Sequence, residues 1–165
     1  MRRLPWLLLP AGVLALDLGT KSWILGFLHE GESYRVIDGF FNLSLGFNHA
    51  AIFGSLGWIP TGIRMVLFNV AGLVAIVYFG RIFLARDTRL LERVALGLIL
   101  GGALGNGLDR LLRGYVVDFL DFVFGGWHYW TFNLADSFIL VGAVLFGISL
   151  LRAPVPGGSP ASGKS

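Results

Sequence analysis

The sequence predicts an α-helical integral membrane protein: a four-transmembrane-helix bundle with a small β-sheet in the first extracytoplasmic loop. Hydrophobic residues make up 55% of the 165-residue chain, charged residues only 14%, and the mean hydropathy is +0.74. A soluble domain carries charge on about 25% of its residues, so the excess apolar surface must face lipid. Four apolar stretches approach the ~20 residues that cross a bilayer as a helix. They run over residues 4–28, 60–84, 92–112 and 129–151.

The first apolar stretch follows Arg2 and Arg3, as the apolar core of a secretory signal peptide would. Apolar residues continue through Trp23 to Leu28, however, without a convincing small-residue cleavage site. We therefore interpret this stretch as a retained first transmembrane helix.

The distribution of basic residues predicts the orientation, because Lys and Arg near span ends remain preferentially in the cytoplasm. With four spans and the N-terminus inside, eight of the thirteen basic residues fall on the cytoplasmic side. These are Arg2, Arg3, Arg81, Arg86, Arg89, Arg93, Arg152 and Lys164. The bias predicts that both termini are cytoplasmic and that two loops, at about 30–60 and 113–130, lie outside.

The first outer loop contains a strand pattern, since residues 41–48 alternate apolar and polar side chains. We expect a small sheet at the membrane surface, followed by a short apolar turn or helix over 50–58. Several aromatic residues fit the interfacial belt of a membrane protein. They are Trp58, Trp127, Tyr129 and Trp130.

The third stretch carries Gly97, Gly101 and Gly105 at intervals of four, with Gly102 beside them. Such a face without side chains favours close helix packing. We expect residues 1–152 to form one four-helix membrane domain. Residues 153–165, rich in Pro, Gly and Ser, are expected to form a disordered cytoplasmic tail.

Composition also excludes several kinds of chemistry. The chain has no Cys, which excludes thiolate metal sites and thiol nucleophiles. His29, His49 and His128 are scattered, and no phosphate-binding loop or metal-ligand spacing occurs. The basic residues are dispersed rather than gathered in a stripe, so the net charge of +3 does not indicate nucleic-acid binding. We expect no metal and no cofactor.

Ionisable side chains inside a bilayer are costly and therefore mark candidate sites. Asp17 and Lys21 lie four residues apart and share a helix face. Our preferred interpretation is a neutralised pair that holds the first helix in the bundle, and the alternative is a part of a functional site. Asn106 and Arg110 also share a face, with Asp109 placed to offset the charge of Arg110. A structural network and a binding role are equally compatible with this spacing.

Two further acids fall at the outer face on this topology: Asp118, flanked by apolar residues, and Asp136 at the start of the fourth span. Asp121 is a rival to Asp118, although its position also suits a solvated loop charge. Asp136 could instead cap the fourth helix, a role for which Asn133 competes. Two carboxylates in a low-dielectric site share one proton, so that one becomes a base and the other an acid. Such a pair can activate water against an amide.

Two other kinds of function stay open on these residues alone. A proton-coupled transporter also places polar residues in helices, but repeat symmetry and broken helices are not found here. An assembly subunit could use the glycine face without any catalytic pair.

Five segments in order resemble the lipoprotein signal peptidase (signal peptidase II) family, over residues 12–152. They are Asp17-Leu18-Gly19-Thr20-Lys21, residues 48–54, residues 105–110, Gly114-Tyr115-Val116-Val117-Asp118-Phe119 and Phe132-Asn133-Leu134-Ala135-Asp136-Ser137. The resemblance implies a bacterial inner-membrane aspartic endopeptidase with four transmembrane helices and cytoplasmic termini. Its substrates would be prolipoproteins whose cleavage-site Cys carries diacylglycerol, entering laterally from the membrane lipid.

The resemblance also implies the roles of individual residues. The catalytic pair would be Asp118 and Asp136, and no metal or organic cofactor would be needed. The supporting polar residues would be Asp17, Lys21, Asn48, Asn106, Arg110 and Asn133. One departure concerns Ala50, where the family usually has Gly, which reaches positive φ more readily than Ala. The loop over 48–58 would close over the site as a lid, with Phe53 or Trp58 touching the substrate.

Overall fold

The structure, a computed structural model, describes residues 4–49, 59–85 and 87–152. Four helices occupy the predicted apolar stretches, and each is long and apolar enough to cross a bilayer. They are α1 (Leu8–Phe27), α2 (Thr61–Leu84), α3 (Leu90–Arg113) and α4 (Leu134–Leu151). A short 3-10 turn, Leu4–Leu7, precedes α1. The predicted helical membrane fold is confirmed.

Helix α3 is the central helix and packs against α1, α2 and α4. Its glycines allow the close approach that the sequence predicts. A Cβ on Gly101 would lie 2.5 Å from Cβ of Val13 in α1, and one on Gly102 would lie 2.5 Å from the backbone oxygen of Ala135 in α4. Any side chain at these two positions would therefore push a neighbouring helix away.

The sheet is antiparallel and has the strand order β1-β2-β3-β4. Its strands are β1 (Ser33–Ile37), β2 (Phe41–Asn48), β3 (Val116–Phe124) and β4 (Trp127–His128). Strand β2 has the predicted bounds, but the sheet is not confined to the first outer loop, because β3 and β4 follow α3. Strand β3 is buried over most of its length. Because both faces of the strand are buried, its sequence is mostly apolar and lacks the alternation typical of a half-exposed strand.

The fourth helix begins at Leu134, five residues later than the predicted span. The aromatic residues before it extend the apolar stretch without extending the helix. Phe132 pairs instead with Leu120 of β3, with its backbone N–H donating to the Leu120 oxygen at 3.1 Å. Asn133 caps the helix, because its side-chain oxygen accepts from the Asp136 backbone N–H at 3.0 Å.

The sheet is held on the bundle by a buried apolar cluster of Ile24, Leu45, Val117 and Phe119. This contact fixes β3 beside the C-terminal ends of α1 and α3. The register of β2 with β3 places Gly46 opposite Asp118. The predicted turn or helix over 50–58 and the predicted tail over 153–165 lie outside the described residues.

Candidate active site

Asp118 and Asp136 line one cavity of about 820 Å³ at the end of the bundle that carries the sheet. We call it the aspartate cavity. Asp118 lies in β3, and Asp136 lies in the first turn of α4. The sequence predicts that these two acids meet, and both line this cavity, but it places Asp118 after the third span and does not predict the strand that carries it.

Asp118 is buried, with 4% of its surface exposed. Its two carboxylate oxygens accept hydrogen bonds from the side-chain amides of Asn133, at 2.7 Å, and Asn48, at 2.9 Å. Burial raises the pKa of the Asp118 carboxyl to about 7, and the negative charge of Asp136 acts in the same direction. Near neutral pH this carboxyl can therefore hold or release a proton.

Asp136 accepts a hydrogen bond from the side-chain amide of Asn106 at 2.7 Å. Its other oxygen accepts from the backbone N–H of Asn133 at 3.2 Å. Together with the bond from the Asp136 N–H to the Asn133 side chain, this forms a capping box at the start of α4. The sequence offers Asp136 and Asn133 as alternative caps of α4. In the structure both residues take part in the cap.

Asn133 connects the two acids, because it contacts Asp118 through its side chain and Asp136 through the cap. It is fully buried, and its amide nitrogen also lies 3.1 Å from the side-chain oxygen of Asn106 and 3.2 Å from the backbone oxygen of Val117. These contacts leave the side chain a single orientation. Asn133 therefore fixes the position of Asp118 relative to Asp136.

Lys21 lies behind this site in a fully buried ionic cluster. Its ammonium nitrogen is 2.8 Å from Asp17, 2.9 Å from Asp109, and donates to the side-chain oxygen of Asn106 at 2.9 Å. The predicted pairing of Asp17 with Lys21 is confirmed. The contact with Asn106 also joins this pair to the site, because the same amide donates to Asp136.

Asp109 has different partners from those the sequence suggests. It forms ion pairs with Lys21 and Arg113, and it accepts the backbone N–H of Val117 at 3.2 Å. Its negative charge also acts on Arg110, as the sequence predicts, although its ion pairs are with the other two residues. Arg110 lines the aspartate cavity, where its guanidinium lies 6.0 Å from the centre of the Phe68 ring.

Asp121 is neither a loop charge nor part of the aspartate cavity. It is buried in β3 and accepts hydrogen bonds from Asn42 at 3.1 Å and Ser44 at 3.0 Å. Its carboxylate also lies 3.0 Å from Nδ1 of His128. Asp121 is three residues from Asp118, so the sequence alone could not separate their environments.

The walls of the aspartate cavity contain residues that the sequence either did not single out or, for Tyr129 and Trp130, assigned only to the interfacial belt. Phe68 of α2 and Leu140 and Val141 of α4 form an apolar side, and an extended segment over 129–132 forms an aromatic side. The signal available in the sequence was the aromatic run, which we assigned to the fourth span. The predicted lid residues Phe53 and Trp58, and Ala50, lie outside the described residues.

The arrangement can perform general acid–base chemistry. Two carboxyl groups, the Arg110 cation and the Asn48 side chain line one opening, and the buried Asn133 amide donates to Asp118 behind it. In the part of the chain that the structure describes, no three His, Asp or Glu side chains are grouped to hold a metal ion. Water polarised between the two carboxyl groups is the nucleophile that these residues can activate.

Comparisons with known proteins agree on one family. A family model described as signal peptidase (SPase) II matches residues 9–152. A lipoprotein signal peptidase of Serratia proteamaculans (strain 568) is 41% identical over 155 residues, which cover 92% of this chain and 89% of the relative. Another, of Janthinobacterium sp. (strain Marseille), is 44% identical over 149 residues, which cover 90% and 89%.

Solved structures with the same fold are also found. A bacterial membrane enzyme determined by the in meso method at 2.3 Å resolution has a TM-score of 0.77 and 33% identity, and the match covers 90% of this chain and 88% of that chain. A second bacterial membrane enzyme, determined by the same method at 1.9 Å resolution, has a TM-score of 0.78 and 32% identity, with 91% and 94% covered.

Proposed function

The chain belongs to the signal peptidase II family, and from this membership we propose that Asp118 and Asp136 are its catalytic pair. As a member of the family, the chain is a multi-pass inner-membrane peptidase that removes the signal peptide from prolipoproteins. Membership of this family favours a peptidase over the two alternative functions that the sequence left open, a transporter and an assembly subunit. The aspartic mechanism is supported by one observation above all: Asn133 holds both acids at the rim of the same cavity.

The reaction needs one carboxylate and one carboxyl group. Asp118, with its pKa raised to about 7 by burial, is assigned the carboxyl that donates a hydrogen bond to the scissile carbonyl oxygen. Asp136, which accepts hydrogen bonds from Asn106 and from the backbone of Asn133, is assigned the base. It takes a proton from water while the water oxygen attacks the carbonyl carbon.

The tetrahedral intermediate then collapses. Asp118 has by then passed its proton to the former carbonyl oxygen. The carbon–nitrogen bond breaks, the proton held by Asp136 passes to the leaving amine, and Asp118 takes its proton back as the carbonyl re-forms. Arg110 and Asn48, at the wall of the cavity, can hydrogen-bond the substrate backbone near the cleaved bond. No step in this sequence requires a group other than the two acids and water.

The substrate is proposed to carry diacylglycerol on the Cys at the cleavage site. The apolar side of the aspartate cavity supports this, because Phe68, Leu140 and Val141 come from the helices α2 and α4, which face the lipid. An apolar signal helix and an acyl chain could both enter between these helices without crossing water. The cleaved bond then lies at the outer membrane surface, where water reaches the two acids.

The catalytic pair is tested with Asp118→Asn and Asp136→Asn. Each variant should lose nearly all cleavage of a diacylglyceryl-modified prolipoprotein, and the double variant should be little worse than either, because the two acids act as a unit. Asp121→Asn is the matched control and should be far milder, since Asp121 lies outside the aspartate cavity. A folded single variant that cleaves at nearly the wild-type rate would refute the proposal.

The orientation is also a proposal, supported by the basic residues near the inner ends of the helices. Reporter fusions after Arg86 and Arg152 should report the cytoplasm, and fusions near Glu32 and Gly125 should report the outside. A reversal at two of these sites would contradict cytoplasmic termini.

A further inference from the structure

A second cavity, of about 510 Å³, adjoins the aspartate cavity on the outer sheet. The two share four wall residues: Gly46 of β2 and the extended segment Tyr129, Trp130 and Thr131. A Cβ on Gly46 would lie 3.9 Å from the Thr131 hydroxyl. The two cavities are therefore neighbours along one wall. Gly46, which has no side chain, and Thr131 lie close together in that wall.

The second cavity differs from the aspartate cavity in its chemistry. Hydroxyl and carboxylate groups from three strands line it, among them Ser33, Ser44 and Asp121. The Ser33 and Ser44 hydroxyls lie 2.8 Å apart, and the Ser44 hydroxyl donates to Asp121. His128, at the edge of the sheet, contacts Asp121 through Nδ1. These groups suit hydrogen bonds to peptide N–H and C=O groups and to small polar side chains.

The position of the second cavity follows the path that a cleaved chain must take. In the proposed function the apolar signal helix enters the aspartate cavity between α2 and α4, where Phe68, Leu140 and Val141 line it. The mature part of the substrate must therefore leave in the other direction, past Gly46 and Thr131. Ser44 lies two residues from Gly46 on β2, which is about 7 Å along an extended strand. Two extended substrate residues span the same distance.

We propose that the second cavity binds the extended polar segment that follows the cleavage site on the mature side of the substrate. This inference rests on the proposed function, because it takes the cleaved bond to lie between Asp118 and Asp136. The residues just after the lipid-bearing Cys pass Gly46 and hydrogen-bond with the Ser33 and Ser44 hydroxyls. The enzyme therefore binds both sides of the cleaved bond, with the apolar signal helix on one side and the lipid-bearing Cys and a short polar peptide on the other.

The test compares two substrates that differ only in the mature segment. Both carry the same signal sequence and a diacylglyceryl-Cys; one ends at that Cys as an amide, and the other continues for four Ser and Asn residues. The wild-type enzyme should cleave the longer peptide with a kcat/KM about tenfold higher, the gain expected from one or two added hydrogen bonds.

Filling the second cavity should abolish this advantage. Ser33 is exposed on the edge strand β1 and lines the second cavity, so Ser33→Phe should bring the ratio of the two kcat/KM values close to one. Arg35→Phe is the matched control, because Arg35 lies two residues along the same strand and lines neither cavity. Its exposed ion pair with Asp38 contributes little, so this variant should keep the wild-type ratio.

Each result decides between the proposals. Equal cleavage of both peptides by the wild type, or a ratio unchanged by Ser33→Phe, would overturn the second cavity as a substrate site while leaving the proposed function intact. Failure of the wild type to cleave either peptide would overturn the proposed function, and this inference with it.

Discussion

Replacing Lys21 with Met tests whether the buried ionic cluster is a structural requirement of the bundle. The cluster contains Asp17, Lys21, Asp109 and Arg113, whose formal charges sum to zero. Lys21→Met keeps the length of the side chain but leaves two carboxylates with one cation. Both carboxylates are fully buried and lie within 2.9 Å of the ammonium nitrogen. Removing one member of such a buried pair costs about 3–5 kcal/mol.

The free energy of unfolding is measured by reversible denaturation in mixed detergent micelles, with α-helical content as the signal. Lys21→Met should lower it by at least ~3 kcal/mol. The double variant Lys21→Met, Asp17→Asn restores a formal charge of zero and keeps the ion pair of Asp109 with Arg113, so it should recover part of that loss. A cost below ~1 kcal/mol for the single variant, or a double variant equal to the sum of the two singles, would refute the reasoning.

The remaining predictions concern pH and helix packing. If Asp118 must be protonated to donate to the carbonyl oxygen, activity should fall as the pH rises through about 7. Asn48→Ala removes a hydrogen bond that favours the charged form of Asp118, so the alkaline limb of the kcat/KM profile should move to higher pH. A limb that stays in place or moves to lower pH would contradict the assignment of Asp118 as the protonated acid. Gly105→Ala should destabilise the fold by about 1–3 kcal/mol in the same unfolding assay, since its Cβ would lie 2.2 Å from a carboxylate oxygen of Asp17. Gly107→Ala, with nothing within 4 Å, is the control and should be neutral or stabilising.

The helices could be predicted from the sequence because the bilayer imposes one requirement on all of them: a long apolar segment that satisfies its own backbone hydrogen bonds. The glycines of α3 and the pair Asp17–Lys21 were predictable for a related reason, since helix geometry fixes which residues share a face. The sequence could not reveal that Asp109 is the second partner of Lys21. That contact depends on how α1 and α3 pack, which no local pattern encodes.

Strand β3 and the start of α4 were harder to predict. A strand buried on both faces and an aromatic segment before a helix are both apolar in sequence, so neither can be distinguished from part of a transmembrane span. Their tertiary partners separate them: β2 pairs with β3, and Leu120 binds Phe132. The meeting of Asp118 with Asp136 was expected from the family resemblance. Their connection through Asn133 became visible only with the geometry.

Asn133 shows why an amide suits this position better than the other residues that begin helices well. Ser and Asp cap a helix about as effectively as Asn, because capping requires only an oxygen acceptor. Here the same side chain must also donate to Asp118, and an ionised Asp side chain offers no donor. An Asp at this position would add a third carboxylate beside two that already share a cavity, and a Ser would be too short to reach both partners. The cap of α4 and the alignment of the two acids are therefore set by one residue, so the fold cannot form its fourth helix in this way without also positioning the proposed catalytic pair.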